Sequence, residues 1–251
     1  MFAPKEFGFI GEYITRDGDS FYRAIVRSLL GCDTNIEDRH IAIQHRLFQD
    51  LLTKALRRAV VAEMYYAYKK GRINREWFEK CLNYSNSPVK NEKITFEEYC
   101  LKMFPSAEKD SKRYANFFLE GNLVSYIMQR YLVILYYSPT DTNYYGYVHH
   151  PEGPYPYEET MDENELKNNY CFEKEGANFP PIVIQVYVHA DRYYYDCIHI
   201  TRDSQVYNSI DDLMYNTKVP HKLEDAYRHF NEIYEDDNQE TNVKNKFIHV
   251  L

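Results

Sequence analysis

Apolar residues recur at helical spacing through the first half of the chain. After Ser20, apolar positions three and four residues apart predict a helix, which Gly31 is placed to end. These positions are Phe21, Ala24, Ile25 and Leu29. A longer helix is predicted from Asn35 to Gly71, and its continuation after a turn carries Trp77. The first part of the sequence is therefore predicted to be mainly helical.

Short helices and then strands are predicted further along the chain. Thr95 and Glu98 have the spacing of a capping box, and they predict the start of a helix that extends to Met103. Another helix is predicted around residues 122–130. Apolar and β-branched runs then predict three buried strands. The runs are residues 131–138, 180–188 and 193–200. The pattern thus begins helical and becomes strand-like.

The 251 residues are predicted to form one domain, because no clear linker interrupts the pattern. Residues 35–92 are interpreted as a helical insertion. Residues 139–180 are rich in Pro, Gly, Asn, Asp, Glu and Tyr, and they are interpreted as a long excursion rather than a linker. Residues 234–251 form an acidic C-terminal tail, part of which is expected to be mobile.

Charge and composition narrow the possible functions. The net charge of −8 argues against nucleic acid as the main partner, since that affinity rests largely on Lys and Arg contacts to phosphate. No run approaches the roughly 18 apolar residues that a membrane span needs, and the N-terminus lacks the pattern of a signal peptide. We therefore expect an intracellular, cytoplasmic protein without a membrane partner, with nuclear entry as an alternative.

The cysteines and histidines predict neither a disulfide framework nor a metal site. The five cysteines include no CxxC pair, which fits reduced thiols. His149 and His150 stand near acidic residues, but adjacent side chains on an extended segment point to opposite sides. A solvated loop is the preferred interpretation of that pair, and no metal or cofactor is expected.

One short motif predicts chemistry. Residues 17–24 read DGDSFYRA. This stretch resembles the signature of the ovarian-tumour (OTU) family of cysteine deubiquitinases, in which an Asp-Gly-Asp or Asp-Gly-Asn turn precedes the nucleophilic Cys. Asp17, Gly18 and Asp19 match that turn, and Ser20 stands at the position of the Cys. The resemblance implies that backbone N–H groups of the turn once formed an oxyanion hole.

Two later blocks resemble the family in the same order, over roughly residues 8–200. The middle block keeps Gly121, but it has Leu119 and Val124 where the family has Trp and Glu. In the last block, the family's His-Tyr-Asp motif aligns with residues 194–196. The resemblance implies an OTU-like cysteine-protease fold of the α/β (α+β) class, with a small central mixed β-sheet flanked by helices.

On this alignment two of the three catalytic positions have changed. Tyr194 replaces the catalytic His, while Asp196 keeps the orienting acid. A thiol with a pKa near 8.5 can be ionised by an imidazole with a pKa near 6.5, whereas a phenol with a pKa of about 10 is a poor base. Loss of either partner of a nucleophile and base pair typically costs several orders of magnitude in rate. The resemblance therefore implies a disabled hydrolase.

Three interpretations of Ser20 remain open at this point. Its hydroxyl could cap the helix that follows, Ser could replace a native Cys, or Ser20 could itself be a nucleophile. The last interpretation needs a base, and His189 and His199 are the nearest candidates on the aligned strands. A structural role is the preferred interpretation of both histidines.

The tyrosines suggest where a partner would bind. The chain has 26 of them, and those on the polar excursion favour a binding surface. They are Tyr144, Tyr145, Tyr147, Tyr155 and Tyr157. The preferred hypothesis is a pseudo-deubiquitinase that binds a protein, with ubiquitin or a ubiquitin-like protein as candidates. One alternative is an active isopeptidase with Ser in place of Cys, and another is a structural component of a larger assembly.

Overall fold

The computed structural model describes most of the first 200 residues, with gaps. The described ranges are 9–30, 39–72, 75–82, 94–104, 115–137, 144–151, 158–162, 181–189 and 192–200. Their helices are α1 (Ser20–Leu30), α2 (Arg39–Lys69), α3 (Arg75–Leu82), α4 (Phe96–Met103) and α5 (Phe117–Met128). Their strands are β1 (Phe9–Glu12), β2 (Leu132–Tyr137), β3 (Tyr144–His149), β4 (Glu158–Asp162), β5 (Ile182–His189) and β6 (Arg192–Ile200).

The strands form one mixed sheet in the order β1-β6-β5-β2-β3-β4. Strands β2 and β5 are parallel, and every other neighbouring pair is antiparallel. Helix α1 packs on β6 and β5, and α5 packs on β2 and β3. Helix α2 lies against α1, α4 and α5. The prediction of an α+β fold, with a central mixed sheet flanked by helices, is confirmed.

The apolar runs that predicted strands are confirmed as β2, β5 and β6. Strands β1, β3 and β4 were not predicted. The last two lie inside the excursion of residues 139–180, so part of that excursion belongs to the sheet. The predicted acidic tail, residues 234–251, lies outside the described residues.

Two helix boundaries differ from the predicted ones for local reasons. Helix α5 begins at Phe117 rather than near residue 122, because the side chain of Asn116 caps it by accepting the N–H of Phe118 at 3.1 Å. Helix α2 ends at Lys69, and Gly71 follows in a left-handed conformation with φ of 68°. The capping box of α4 is confirmed.

The interpretation of His149 as part of a solvated loop is wrong. His149 is the last residue of β3 and is completely buried beneath α5. In the part of the chain that the structure describes, no group of three or more His, Cys, Asp or Glu side chains could hold a metal ion. None of the helices in that part has the length and apolar content needed to cross a membrane.

Candidate functional site

The turn that leads into α1 is closed by its own backbone and by the side chain of Asp17. The N–H of Asp17 donates to the carbonyl of Thr15 at 3.0 Å, and the N–H of Ser20 donates to the carbonyl of Asp17 at 3.2 Å. Asp17 Oδ1 accepts the N–H of Asp19 at 3.0 Å, as Asp commonly does in turns. The N–H groups of Asp19 and Ser20 are both used inside the turn, so in this conformation it does not offer them to an oxyanion.

Arg23 on α1 ties the start of this turn to α2. Its guanidinium pairs with Asp17 at 3.1 Å and with Asp50 of α2. Burial works to lower the pKa of Arg23, but the two carboxylates raise it above its ordinary value. The acid at the first position of the motif is therefore held by Arg23 of α1, which is itself paired with α2.

Arg57 on α2 holds the other end of the turn. Its side chain is buried and donates to the carbonyl of Gly18 at 3.1 Å, to Asp19 Oδ1 at 2.5 Å and to the carbonyl of Met103 at 2.6 Å. A buried guanidinium needs such acceptors, because an unpaired buried charge costs several kcal/mol. Helix α2, within the predicted helical insertion, is thus part of the structure that shapes the turn.

Ser20 is the first residue of α1 and is 1% exposed. Its hydroxyl has no hydrogen-bond partner in the part of the chain that the structure describes. The interpretation that this hydroxyl caps α1 is therefore wrong. The carbonyl of Asp19 accepts the first helical bond, from the N–H of Arg23 at 2.9 Å, which places Asp19 at the cap position.

The two sides of β6 have different environments. Tyr195 points toward α1, where its ring meets that of Phe21 at 5.0 Å between centroids, and its hydroxyl donates to the carbonyl of Ala115 at 2.9 Å. Successive residues of a strand point to opposite faces, so Tyr194 and Asp196 belong to the face away from α1. Tyr194 stacks there on Tyr187, its partner on β5, at 5.6 Å.

Arg16 fills the space beside Tyr194. Its guanidinium carbon lies 4.5 Å from the ring centroid of Tyr187, 4.6 Å from that of Tyr13 and 5.1 Å from that of Tyr194. Each such contact contributes about 0.5–1 kcal/mol at an exposed site. Arg16 also forms an ion pair with Asp196, at 3.3 Å from Nη2 to Oδ1. We call these five residues (Tyr13, Arg16, Tyr187, Tyr194 and Asp196) the arginine cage.

Asp196 is held by the segment that precedes the turn. Its Oδ1 accepts the N–H of Ile14 at 3.2 Å, and its Oδ2 lies 3.4 Å from Arg16 Nη2. Burial raises the pKa of Asp196, while Arg16 and the N–H of Ile14 oppose that effect. The acid that the resemblance assigns to orienting a histidine therefore has Arg16 and a backbone N–H as its partners.

A second group of buried ionisable side chains lies within the helical layer. Glu120 on α5 is completely buried and accepts the hydroxyl of Tyr99 at 2.6 Å and the N–H of Asn116 at 3.0 Å. Burial raises the pKa of Glu120 to about 8, although these hydrogen bonds lower it. Burial, and then Glu120, also raise the pKa of Tyr22 well above its ordinary value.

Of the tyrosines predicted to bind a partner, only Tyr147 has its side chain in the part of the chain that the structure describes. The ring of Tyr147 packs on α5, 5.2 Å from the ring of Phe117 and 5.1 Å from that of Phe118, so it is a packing residue of the sheet. For the other four tyrosines, either the side chain or the whole residue lies outside the described part of the chain. Tyr144 and Tyr145 have their backbone on β3, and Tyr155 and Tyr157 are not described.

The two candidate bases are likewise described only by their backbone. His189 pairs with Arg192 at the end of β5, and His199 pairs with Ile10 across β6 and β1. Their side chains lie outside the described set.

Sequence reasoning missed Arg16, Arg57 and Tyr187. Arg16 directly precedes the motif, and an arginine next to two acids is a signal of ion pairing, although the pair that forms is with the distant Asp196. Arg57 is followed on its side of the helix by Val60, Val61 and Met64, and a charged residue that leads into such an apolar run is a signal of a buried charge.

The solved structures that are similar to this chain include the following two. A crystal structure of an OTU deubiquitinase from Wolbachia pipientis wMel bound to ubiquitin shares 11% identity, with a TM-score of 0.48 over 76% of this chain and 94% of that one. The OTU domain of OTUD1 shares 13% identity, with a TM-score of 0.40 over 77% of this chain and 87% of that one. Comparisons of the sequence with protein-family models and with curated proteins give no match.

Proposed function

We propose that this chain is an OTU-like domain that has lost hydrolase chemistry and acts as a protein-binding or scaffold module. The observation that carries the proposal is the environment of the Ser20 hydroxyl. A serine hydroxyl becomes a nucleophile only when a base accepts its proton at the moment of attack, and the buried hydroxyl of Ser20 has no hydrogen-bond partner among the described residues.

The surroundings of Ser20 support the same conclusion. The N–H groups of Asp19 and Ser20 donate within the turn, whereas an oxyanion hole needs donors directed at the developing charge. Tyr194 lies in the arginine cage, and Asp196 is paired with Arg16. At the positions that the resemblance assigns to catalysis, Tyr194 and Asp196 are thus engaged in structural contacts, and the hydroxyl of Ser20 has no partner among the described residues.

Ubiquitin or a ubiquitin-like protein is the partner to test first, because the motif of residues 17–24 resembles that of an enzyme family that acts on ubiquitin. Binding does not require the chemical step. A domain can retain a groove for its former substrate after the nucleophile and base are gone, since the two functions use different interactions.

The proposal is tested by separating hydrolysis from binding. The protein is incubated with ubiquitin chains of several linkages, and its Ser20→Ala form is treated in the same way. We expect no cleavage by either form. Cleavage that disappears in the Ser20→Ala form would show a working serine nucleophile and overturn the loss of chemistry.

Binding is measured by titrating isotope-labelled ubiquitin with the protein and following the NMR chemical shifts. We expect shifts that saturate, and we expect Tyr13→Ala to weaken them because Tyr13 is 59% exposed beside the turn. Leu101→Ala is the matched control, since Leu101 is an exposed apolar residue on another element, α4. Absence of saturable shifts would exclude ubiquitin as the partner.

A further inference from the structure

We infer that Arg16 is a positioning residue that locks the segment before the turn onto β6 and keeps Asp196 from serving a base at position 194. The inference rests on the proposed function in one respect: it takes positions 20, 194 and 196 as those of the lost nucleophile, base and acid. It adds that the loss is not confined to the two substituted positions. The ion pair of Arg16 with Asp196 would keep the site inactive even without the substitutions at positions 20 and 194.

The contacts of Arg16 come from both sides of the site. Tyr13 and Arg16 belong to the segment between β1 and α1, while Tyr187 and Tyr194 come from neighbouring positions on β5 and β6. The guanidinium lies within 5.1 Å of all three ring centroids and is paired with Asp196. One side chain therefore joins the segment that leads into the turn to the face of the sheet that carries Tyr194.

The N–H of Ile14 strengthens this connection. It donates to the same carboxylate oxygen that Arg16 approaches most closely, so Asp196 binds the segment through a side chain and through the backbone. The side chain of Asp196 is 3% exposed, and that of Arg16 is 20% exposed. A pair that is shielded from water in this way is screened far less than a surface ion pair.

A histidine placed at position 194 would therefore meet an unfavourable environment. Its imidazole would take the place of the Tyr194 ring beside the guanidinium, and a nearby positive charge disfavours a second one. The acid that should orient the ring and stabilise its charged form already has Arg16 as a partner. Restoring Cys and His alone would thus not restore an imidazolium paired with Asp196.

The test measures the protonation of that imidazole directly. Tyr194→His is compared with the double variant Tyr194→His with Arg16→Gln by NMR titration of the imidazole Cε1–H, using the parent protein to identify the signals of the native histidines. We expect removal of Arg16 to raise the pKa of the introduced imidazole by at least one pH unit. An unchanged pKa would overturn the lock.

Two further variants test whether the change in the imidazole pKa is specific to the charge of Arg16. Arg72→Gln in the Tyr194→His background removes an exposed arginine that lies over a different tyrosine, Tyr66, and should leave the titration unchanged. Unfolding followed by circular dichroism checks that each variant is folded. If Arg16→Gln unfolds the protein, Arg16→Met replaces it, because the Met chain fills the cage without a charge; an unchanged imidazole pKa in that variant would equally overturn the lock.

Addition of Ser20→Cys distinguishes failure of the lock from failure of the proposed function. Each form is exposed to a ubiquitin probe whose C-terminus carries a thiol-reactive group. We expect reaction at position 20 only when Ser20→Cys, Tyr194→His and Arg16→Gln are combined. Equal reaction without Arg16→Gln would overturn the lock. A raised imidazole pKa without any reaction would uphold the lock and count against ubiquitin as the partner.

Discussion

The imidazole of His149 lies against the backbone of Gly121, where β3 passes beneath α5. A Cβ atom at position 121 would lie 2.5 Å from Nε2 of that imidazole and 2.7 Å from Cδ2. Neither ring nitrogen of His149 has a hydrogen-bond partner among the described residues, and the residue is completely buried. Gly121, in the middle of α5, allows the His149 ring of β3 to approach the helix backbone this closely.

We predict that Gly121→Ala destabilises the fold by about 1–3 kcal/mol, as overpacking a core commonly does. Alanine normally stabilises a helix interior relative to glycine by about 0.5–1 kcal/mol, so a loss of stability would have the opposite sign to the propensity effect. Urea unfolding measures the difference. His149→Ala removes the clashing ring, and the double variant should therefore lose less stability than the two single variants added together. A neutral or stabilising Gly121→Ala would show that the ring moves aside without cost.

At the scale of elements, helix α2 shapes the turn before α1, which is distant from it in the sequence. Arg57 reaches from α2 to the turn before α1 and to the end of α4, through Gly18, Asp19 and Met103. Its three acceptors belong to two segments, the turn before α1 and the end of α4. Helix α2 thus contributes directly to the structure of the site.

We predict that Arg57→Met destabilises the protein by about 3–5 kcal/mol, because it leaves Asp19 and two carbonyl groups without their buried donor. Lys54→Met on the same helix is the matched control. Lys54 is exposed, so its replacement should change the free energy of unfolding by no more than about 0.5 kcal/mol. Chemical denaturation measures both variants, and equal small effects would contradict the role of Arg57.

Helix α4 offers a second prediction at this scale. Thr95 Oγ1 accepts the N–H of Glu98 at 3.2 Å, and Glu98 Oε2 accepts the N–H of Thr95 at 2.9 Å. Thr95→Ala should cost about 1 kcal/mol by thermal or urea unfolding, while Thr95→Ser keeps the acceptor and should cost much less. Similar losses in the two variants would mean that the methyl group of Thr95, not its oxygen, supports the helix.

Elements that follow from local pattern could be predicted, and those that depend on distant partners could not. The capping box predicts α4, and the apolar runs predict β2, β5 and β6. Strands β3 and β4 have polar and aromatic residues where turn residues are also common, and they become strands by pairing with β2 and with each other. In the site, the motif predicts the turn, but the partner of Asp196 is Arg16, which lies 180 positions away in the sequence.

At the scale of the whole molecule, two buried groups make stability depend on pH in opposite directions. Burial, with a smaller effect of His150, lowers the pKa of His149 from 6.5 to about 3, so the unfolded chain binds more protons at that residue and stability falls as the pH drops below 6.5. Burial raises the pKa of Glu120 from 4.5 to about 8, so the folded chain holds its proton and stability falls as the pH rises above 4.5.

The two pH dependences of the free energy of unfolding cancel between pH 4.5 and 6.5. Each of them amounts to at most about 1.4 kcal/mol per pH unit. We therefore predict a plateau of stability in that range, with a decline toward pH 3 from His149 and a decline toward pH 8 from Glu120. Urea unfolding across this range measures the profile, and His149→Phe and Glu120→Gln assign its two sides. The first variant should remove the decline below pH 4.5 and extend the alkaline decline down to pH 4.5, whereas the second should remove the decline above pH 6.5 and extend the acid decline up to pH 6.5. Because each variant removes one titrating group, a profile that keeps both declines in both variants would place the pH dependence in other residues.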